Sequence, residues 1–302
     1  MSFQIYIKLF EVIFPVFFII GIGYWFGKNN PKFNTDIVTT FSGKIGVPAL
    51  LFYSLAASKT LDFETFVKFG SFCFLFVASF AVIGMILLKI LGRNIITELS
   101  PLILPNTGNL GLPICLFAYG EQGFSIASSI AAVIMLLHFT VGIFIASNKV
   151  SFKALVNSIP VYMIIISGFF LYFKIEPPKF LVNTSMLLAY STIFLVLTSL
   201  GITLSTLRAK NVKSNIVIAL FRLISGPCIA FLIIKYFGLK GYQAGVLFIQ
   251  ASMPSAILNF LLAKMYSKKM HADNIASVIV ISTTLSFVTI PIVVFLALKY
   301  FS

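Results

Sequence analysis

Long apolar segments follow one another along almost the whole 302-residue chain, and only short polar connections separate them. Each segment holds about 20 residues, and a helix of that length crosses a hydrocarbon core of about 30 Å because it rises 1.5 Å per residue. Charged residues make up only 10% of the chain, against roughly a quarter in soluble domains. The chain is therefore predicted to be an all-α integral membrane protein rather than a soluble globule.

Ten such segments are predicted to be transmembrane helices, numbered here as spans 1 to 10. They comprise residues 5–27, 37–57, 66–90, 95–117, 124–146, 156–173, 181–204, 214–238, 242–265 and 274–300. The connections are too short to hold a soluble domain. The 22 basic residues are scattered over these connections rather than gathered in one patch, which argues for the lipid bilayer and against nucleic acid as a partner.

The lysine and arginine residues of the loops predict the orientation, because loops rich in them tend to stay on the cytoplasmic side. With the N-terminus outside, the inside loops hold twelve of these residues and the outside segments hold eight. The other two, Lys44 and Arg222, lie within spans. We therefore expect a multi-pass protein of the cell membrane (plasma or inner membrane) with both termini outside.

The two halves of the chain begin alike, which indicates an internal repeat. Residues 15–23 read PVFFIIGIG and residues 160–168 read PVYMIIISG, identical at five of nine positions with an offset of 145. The same offset aligns residues 109–111 with residues 254–256, in the fourth span of each half. Five spans per half is an odd number, so residues 1–146 and 147–302 are predicted to form two inverted repeats.

Residues that disfavour helix interrupt the fourth span of each half. The segment Pro101–Pro113 holds three prolines and two glycines, and interior proline costs a helix about 3 kcal/mol. Span 4 is therefore predicted to break and to face protein or a wet cavity, since lipid cannot satisfy free backbone groups. The segment Gln250–Ser255 of span 9 has only one proline. Both a simple kink and a second break are therefore open interpretations of this segment.

Two broken helices that meet in the membrane would place helix N-termini, with free N–H groups and partial positive charge, at a common site. A carboxylate suits such a site. The candidate substrate-binding residues are Asn106, Thr107, Gly108, Asn109, Gly111, Pro113, Ser252, Met253, Pro254, Ser255 and Arg222. Arg222 lies deep in span 8 and would either face an anionic substrate or pair structurally, because an intramembrane charge needs a partner.

Enzymatic motifs are absent from the sequence: it has two histidines and neither an HExxH nor a GxSxG pattern. We predict no catalytic residues, no metal ligands and no cofactor. The membrane-embedded titratable residues available for proton coupling are Glu11, Glu98 and His138. For His138, a packed and hydrogen-bonded histidine is the preferred interpretation over a proton relay.

The chain resembles the auxin efflux carrier family of membrane transporters, in the bacterial form without a long central loop. The resemblance covers essentially the whole chain, and its most specific motif is NTGNLGLPICLFAYG at residues 106–120. Further similar segments are PVFFIIGIGYWFGK (15–28), VPALLFYSLA (47–56), SLGITL (199–204) and ASMPSAILNFLLAKMY (251–266). Asn109 departs from the family pattern, in which a bulky apolar residue is more usual.

This resemblance implies a fold similar to sodium/proton antiporters and bile acid symporters, with crossing broken helices in spans 4 and 9. Spans 1, 2, 6 and 7 would form a scaffold, and spans 3–5 and 8–10 a transport core that slides against it like an elevator. Family substrates include auxin-like acids and dicarboxylates.

The predicted function is thus secondary transport of a small organic anion. A homodimer that forms through the scaffold helices is a further possibility. A sodium-coupled symporter of the bile acid type and a non-transporting sensor or channel stay open as alternatives.

Overall fold

The computed structural model describes residues 2–33, 35–149, 155–209 and 211–301, and these residues form helices joined by short connections. We label the helices in chain order. They are α1 (Ser2–Asn29), α2 (Ile37–Ala56), α3 (Phe63–Ile90), α4 (Ile95–Glu98), α5 (Ser100–Ile103), α6 (107–119), α7 (121–147), α8 (Ile159–Phe173), α9 (Lys179–Thr206), α10 (Val212–Phe237), α11 (Gly241–Ala251), α12 (Ile257–Tyr266) and α13 (Lys269–Tyr300). Within the described ranges no strand occurs, apart from one isolated β-bridge.

Seven helical segments of the described residues are long and apolar enough to cross a membrane. They correspond to α1, α2, α3, the joined α6 and α7, α9, α10 and α13. The all-α membrane architecture is thereby confirmed. Because α8 and α12 are apolar but shorter than 18 residues, the count of ten crossings stays a prediction.

Helices α6 and α7 together form a run of 41 residues, about twice the length that a bilayer requires. The run is divided at Gly120, whose φ of 63° and ψ of −156° are not helical and suit a residue without a Cβ. The polar residues Glu121 and Gln122 follow directly and are exposed. The division falls between the predicted spans 4 and 5.

Close backbone contact joins α1 to α9. A Cβ added at Gly23 would run into the carbonyl of Thr198, and one at Gly201 would run into the carbonyl of Ile20. Such small residues let two helices approach closely in lipid. The outer face of α1 exposes the stacked rings of Phe10, Phe14 and Phe18, as a lipid-facing surface does.

Both predicted breaks are present, and they cross each other. Residues 104–106 separate α5 from α6, and residues 252–256 separate α11 from α12. The breaks pair as an antiparallel bridge at Pro105 and Ser255. Asn106 N–H donates to the carbonyl of Pro254 at 2.7 Å, and Ala256 N–H donates to that of Leu104 at 3.2 Å.

The simple proline kink considered for residues 250–255 is therefore wrong, since five residues leave the helix there. The predicted offset of 145 does not bring the two breaks into register. Residues 109–111 already belong to α6, whereas residues 254–256 lie between α11 and α12. A match over nine residues of span 1 cannot reveal a later difference in spacing.

Two groups of helices pack mainly among themselves. The first group comprises α1, α2, α8 and α9, and the second comprises α3, α6, α7 and α10 to α13. Residues from both groups line the space beside the crossing. Of the twelve basic residues predicted for the inside loops, Lys153 and Lys210 lie outside the described residues.

Candidate functional site

Arg222 of α10 links the two broken helices. Its side chain is fully buried, and Nη1 donates to the carbonyl of Leu102 in α5 at 3.0 Å. Nη2 donates to Ala251 at 2.8 Å and Nε to Met253 at 3.2 Å, at the end of α11. Carbonyls at helix C-termini have no partner within the helix, so Arg222 satisfies groups that the breaks release. The ring of Phe80 covers the guanidinium at 3.9 Å.

This geometry favours the structural alternative for Arg222. Three of its N–H groups point at carbonyls, and the residue does not line either cavity described below. Direct contact between Arg222 and a substrate stays a prediction.

Polar side chains at the second break also bind backbone carbonyls: Ser255 and Asn259 reach the first broken segment, whereas Ser252 bonds to α11. The hydroxyl of Ser252 donates to Phe248 O at 2.6 Å, and that of Ser255 donates to Pro101 O. Asn259, which sequence analysis did not select, donates from Nδ2 to Leu104 O at 3.0 Å. These hydroxyl and amide groups bind backbone groups of the two broken helices, much as Arg222 does.

Several predicted residues thus lie away from the cavities, although they lie at or near the crossing. A Cβ at Gly111 would meet the side chain of Gln250, so this glycine lets α6 pack closely on α11. Pro113 is buried inside α6, just after the turn Thr107–Gly111. The predicted residues that line neither cavity are Gly111, Pro113, Arg222, Ser252, Met253, Pro254 and Ser255. A ligand contact by any of them stays a prediction.

The remaining four predicted residues surround the start of α6. Asn106 is its N-cap, and Asn106 Oδ1 accepts the backbone N–H of Asn109 at 3.3 Å. An N–H group can only donate, so the amide orientation is fixed and Nδ2 faces away from the cap. This Nδ2 is buried and has no hydrogen-bond partner among the described residues. The N–H groups of Thr107 and Gly108, in the first turn, have no acceptor within the helix.

A cavity of about 100 Å³ lies at this point, named here the central cavity. Asn106, Thr107 and Gly108 line it from the start of α6, and Ile257 and Leu258 line it from the start of α12. The N-termini of α6 and α12, the helices that follow the two breaks, therefore border one space. Each contributes partial positive charge and free N–H donors, which is the arrangement that binds anions at helix ends.

A larger cavity of about 670 Å³, named here the vestibule, adjoins the central cavity. Asn109, Met135 and Val196 line both spaces. The exposed side chains of Lys44 on α2 and Lys264 on α12 line the vestibule. Among the side chains that the structure describes, no carboxylate lines either space.

His138 of α7 lines the central cavity and is only 3% exposed. Its Nδ1 lies 2.9 Å from the carbonyl of Ile134, whereas its Nε2 is buried and has no partner among the described residues. The sequence predicts a packed, hydrogen-bonded histidine, but only one of the two ring nitrogens fits that description.

Three segments with π-helical geometry bring side chains to these cavities. They are Ser42–Gly46 with Lys44, Thr107–Gly111 with Asn109, and His138–Gly142. A π-helical turn shifts the register of the side chains that follow it and occurs often at functional sites. No sequence signal used above predicts these turns.

The two acidic residues considered for proton coupling lie elsewhere. Glu98 forms an ion pair with Arg93 and accepts a hydrogen bond from Asn274 Nδ2 at 3.2 Å. Glu11 lies 4.0 Å from Lys8 on α1, and both side chains are largely exposed. Neither glutamate lines the central cavity or the vestibule.

Apolar helices of membrane-spanning length, two paired helix breaks and a cavity bordered by helix N-termini are features of a membrane transport protein. A family model described as membrane transport protein matches residues 8–158 and again residues 144–294. The chain belongs to this family of auxin efflux carrier type, as its motifs indicated. It is also 29% identical over 304 residues to an uncharacterized transporter of Methanocaldococcus jannaschii, with 93% of this chain and 96% of that protein covered.

Proposed function

We propose that this protein is a secondary transporter that binds the carboxylate of a small organic anion in the central cavity. The observation that carries the proposal is the common border formed by the N-termini of α6 and α12, beside the unpartnered Nδ2 of Asn106. A carboxylate would accept hydrogen bonds from these donors and compensate the partial positive charges. The vestibule, with Lys44 and Lys264, would attract the anion and accommodate the rest of it.

The division of the helices supports an elevator mechanism within this proposal. The helices α1, α2, α8 and α9 would stay fixed as a scaffold, and the helices that hold the crossing would slide against them with the bound anion. The double match of the family model supports two repeats, which we propose are inverted. The proposed orientation, with both termini outside, predicts that a cysteine at Lys240 is labelled from outside and one at Arg208 is not.

The substitution Asn106→Asp tests the carboxylate site. Aspartate is as good an N-cap as asparagine, so it retains the acceptor for Asn109 N–H while it adds a negative charge beside the ligand. Two like charges about 4 Å apart repel by about 4 kcal/mol at an effective dielectric constant near 20, or roughly a thousandfold in affinity. Asn106→Ala should weaken binding by only about ten- to a hundredfold, the cost of one hydrogen bond to a charged group.

The measurement is counterflow and binding of organic acids by purified protein in liposomes, with variants matched for thermal stability. The exposed Asn183 on α9 provides the control, since Asn183→Asp changes charge by the same amount on the outer surface of α9. Asn106→Asp protein that transports like the parent would contradict the proposed site. Sodium-dependent uptake would favour the symporter alternative, and the absence of counterflow with every acid would favour a sensor or channel.

A further inference from the structure

His138 lines the central cavity and has a ring nitrogen without a hydrogen-bond partner among the described residues. Its Nδ1 lies 2.9 Å from Ile134 O, and a carbonyl can only accept. The proton must therefore be on Nδ1, and in the neutral imidazole Nε2 is then an acceptor. This nitrogen is buried at the central cavity without a partner among the described residues.

The surroundings favour the neutral ring. Among the described side chains that line the central cavity, none is a carboxylate that could pair with an imidazolium. An isolated buried charge is much more costly than a buried neutral group. Of the other polar side chains that line the cavity, Thr192 already donates its hydroxyl to Leu188 O at 2.6 Å.

Two residues that line the central cavity thus carry unsatisfied atoms of opposite kind, on different helices. Asn106 Nδ2 on α6 is a donor, and His138 Nε2 on α7 is an acceptor. A plain carboxylate satisfies only the donor, because an ionised carboxylate has no proton to give. A ligand that carries an O–H or N–H group close to its carboxylate satisfies both.

We propose that His138 is a substrate-binding residue whose Nε2 accepts a hydrogen bond from the ligand, and that the preferred substrates are carboxylates with a neighbouring O–H or N–H donor, such as 2-hydroxy acids. The proposal rests on the carboxylate site proposed above and adds the second group that the ligand must carry. A ligand without the donor leaves Nε2 buried and unpaired, which corresponds to a loss of about tenfold to a hundredfold in affinity.

Matched pairs of acids test this proposal on purified, reconstituted protein. The pairs are malate and succinate, and lactate and propionate. Within each pair the net charge is the same, and one member lacks the donor. We expect the wild-type protein to bind the donor-bearing member of at least one pair about tenfold more tightly or better.

Two substitutions assign that preference to His138. In His138→Asn, the shorter amide can still donate to Ile134 O but has no atom at the position of Nε2, so the preference should fall to near one. In His138→Gln, the longer side chain can place an acceptor oxygen there, so part of the preference should return. Thermal unfolding of both variants shows whether either loss reflects misfolding.

The outcomes separate the two proposals. Equal binding of both members of every pair to wild-type protein, or a preference that His138→Asn leaves unchanged, would overturn the role of His138 and leave the carboxylate site standing. No binding of any of the four acids to wild-type protein would refute the carboxylate site and this inference together.

Discussion

The substitution Arg222→Lys keeps the positive charge, yet we expect it to destabilise the protein strongly. The burial of one charge is common to both side chains, so that cost largely cancels in the comparison. The guanidinium donates to three carbonyls, whereas the point charge of lysine lacks the planar fork that reaches them together. If lysine keeps one of these bonds, the loss of two charge-assisted bonds costs about 3–6 kcal/mol.

Thermal unfolding followed with a thiol-reactive dye measures this effect. Cys73 and Cys115 are buried and free, so they react when the helices separate, whereas the exposed Cys228 should first be replaced by alanine. Arg208→Lys is the matched control, because Arg208 is exposed and surface substitutions usually change stability by less than about 0.5 kcal/mol. We expect Arg222→Lys to unfold well below the parent and the control.

The opposite pattern would refute this argument. If Arg222→Lys unfolds at the temperature of the control but no longer binds organic acids, the guanidinium contacts the substrate, as the sequence alone suggested. If Arg222→Lys is less stable but retains affinity in the folded fraction, the structural role is supported.

Further substitutions test other parts of the structure. Replacing both Lys44 and Lys264 by glutamine should slow anion uptake at low ionic strength, and the difference should shrink above roughly 0.5 M salt, where screening is strong. Gly201→Ala should lower the unfolding temperature, because its Cβ would meet the backbone of α1, whereas Gly21→Ala should not, since no atom lies within 4 Å. Asp62 caps α3 by accepting Thr65 N–H at 2.7 Å, which lowers the pKa of its carboxyl. Asp62→Ala should therefore cost about 1 kcal/mol of unfolding free energy at neutral pH, a difference that disappears as pH falls through the lowered pKa.

The broken helices could be predicted because their residues conflict with their surroundings. Proline, glycine and asparagine in an otherwise apolar span are costly, and both breaks lie in the segments that contain them. Their exact positions could not be predicted, since the offset taken from span 1 aligned residues 109–111, which lie in α6, with residues 254–256 of the second break. Short matches between Ile-rich segments fix a repeat only near the match itself.

The central cavity was predicted only in part. Asn106, Thr107, Gly108 and Asn109 line it, and their polarity within span 4 was the signal. The N–H groups of α12 belong to Ile257 and Leu258, whose apolar side chains reveal nothing about their backbone. His138 was visible as a polar residue in span 5, but its unpaired Nε2 depends on the three-dimensional arrangement.

In the proposed transporter, the crossing would let a buried arginine favour an anion without contacting it. Each broken helix brings a C-terminal end with partial negative charge and an N-terminal end with partial positive charge into the interior. Arg222 donates to carbonyls of α5 and α11, so its charge compensates the negative ends. The positive ends of α6 and α12 border the central cavity, where no described side chain is acidic. Because the protein compensates one pair of ends and leaves the other to the ligand, a bound cation would meet two positive ends, and a bound anion would complete the pairing.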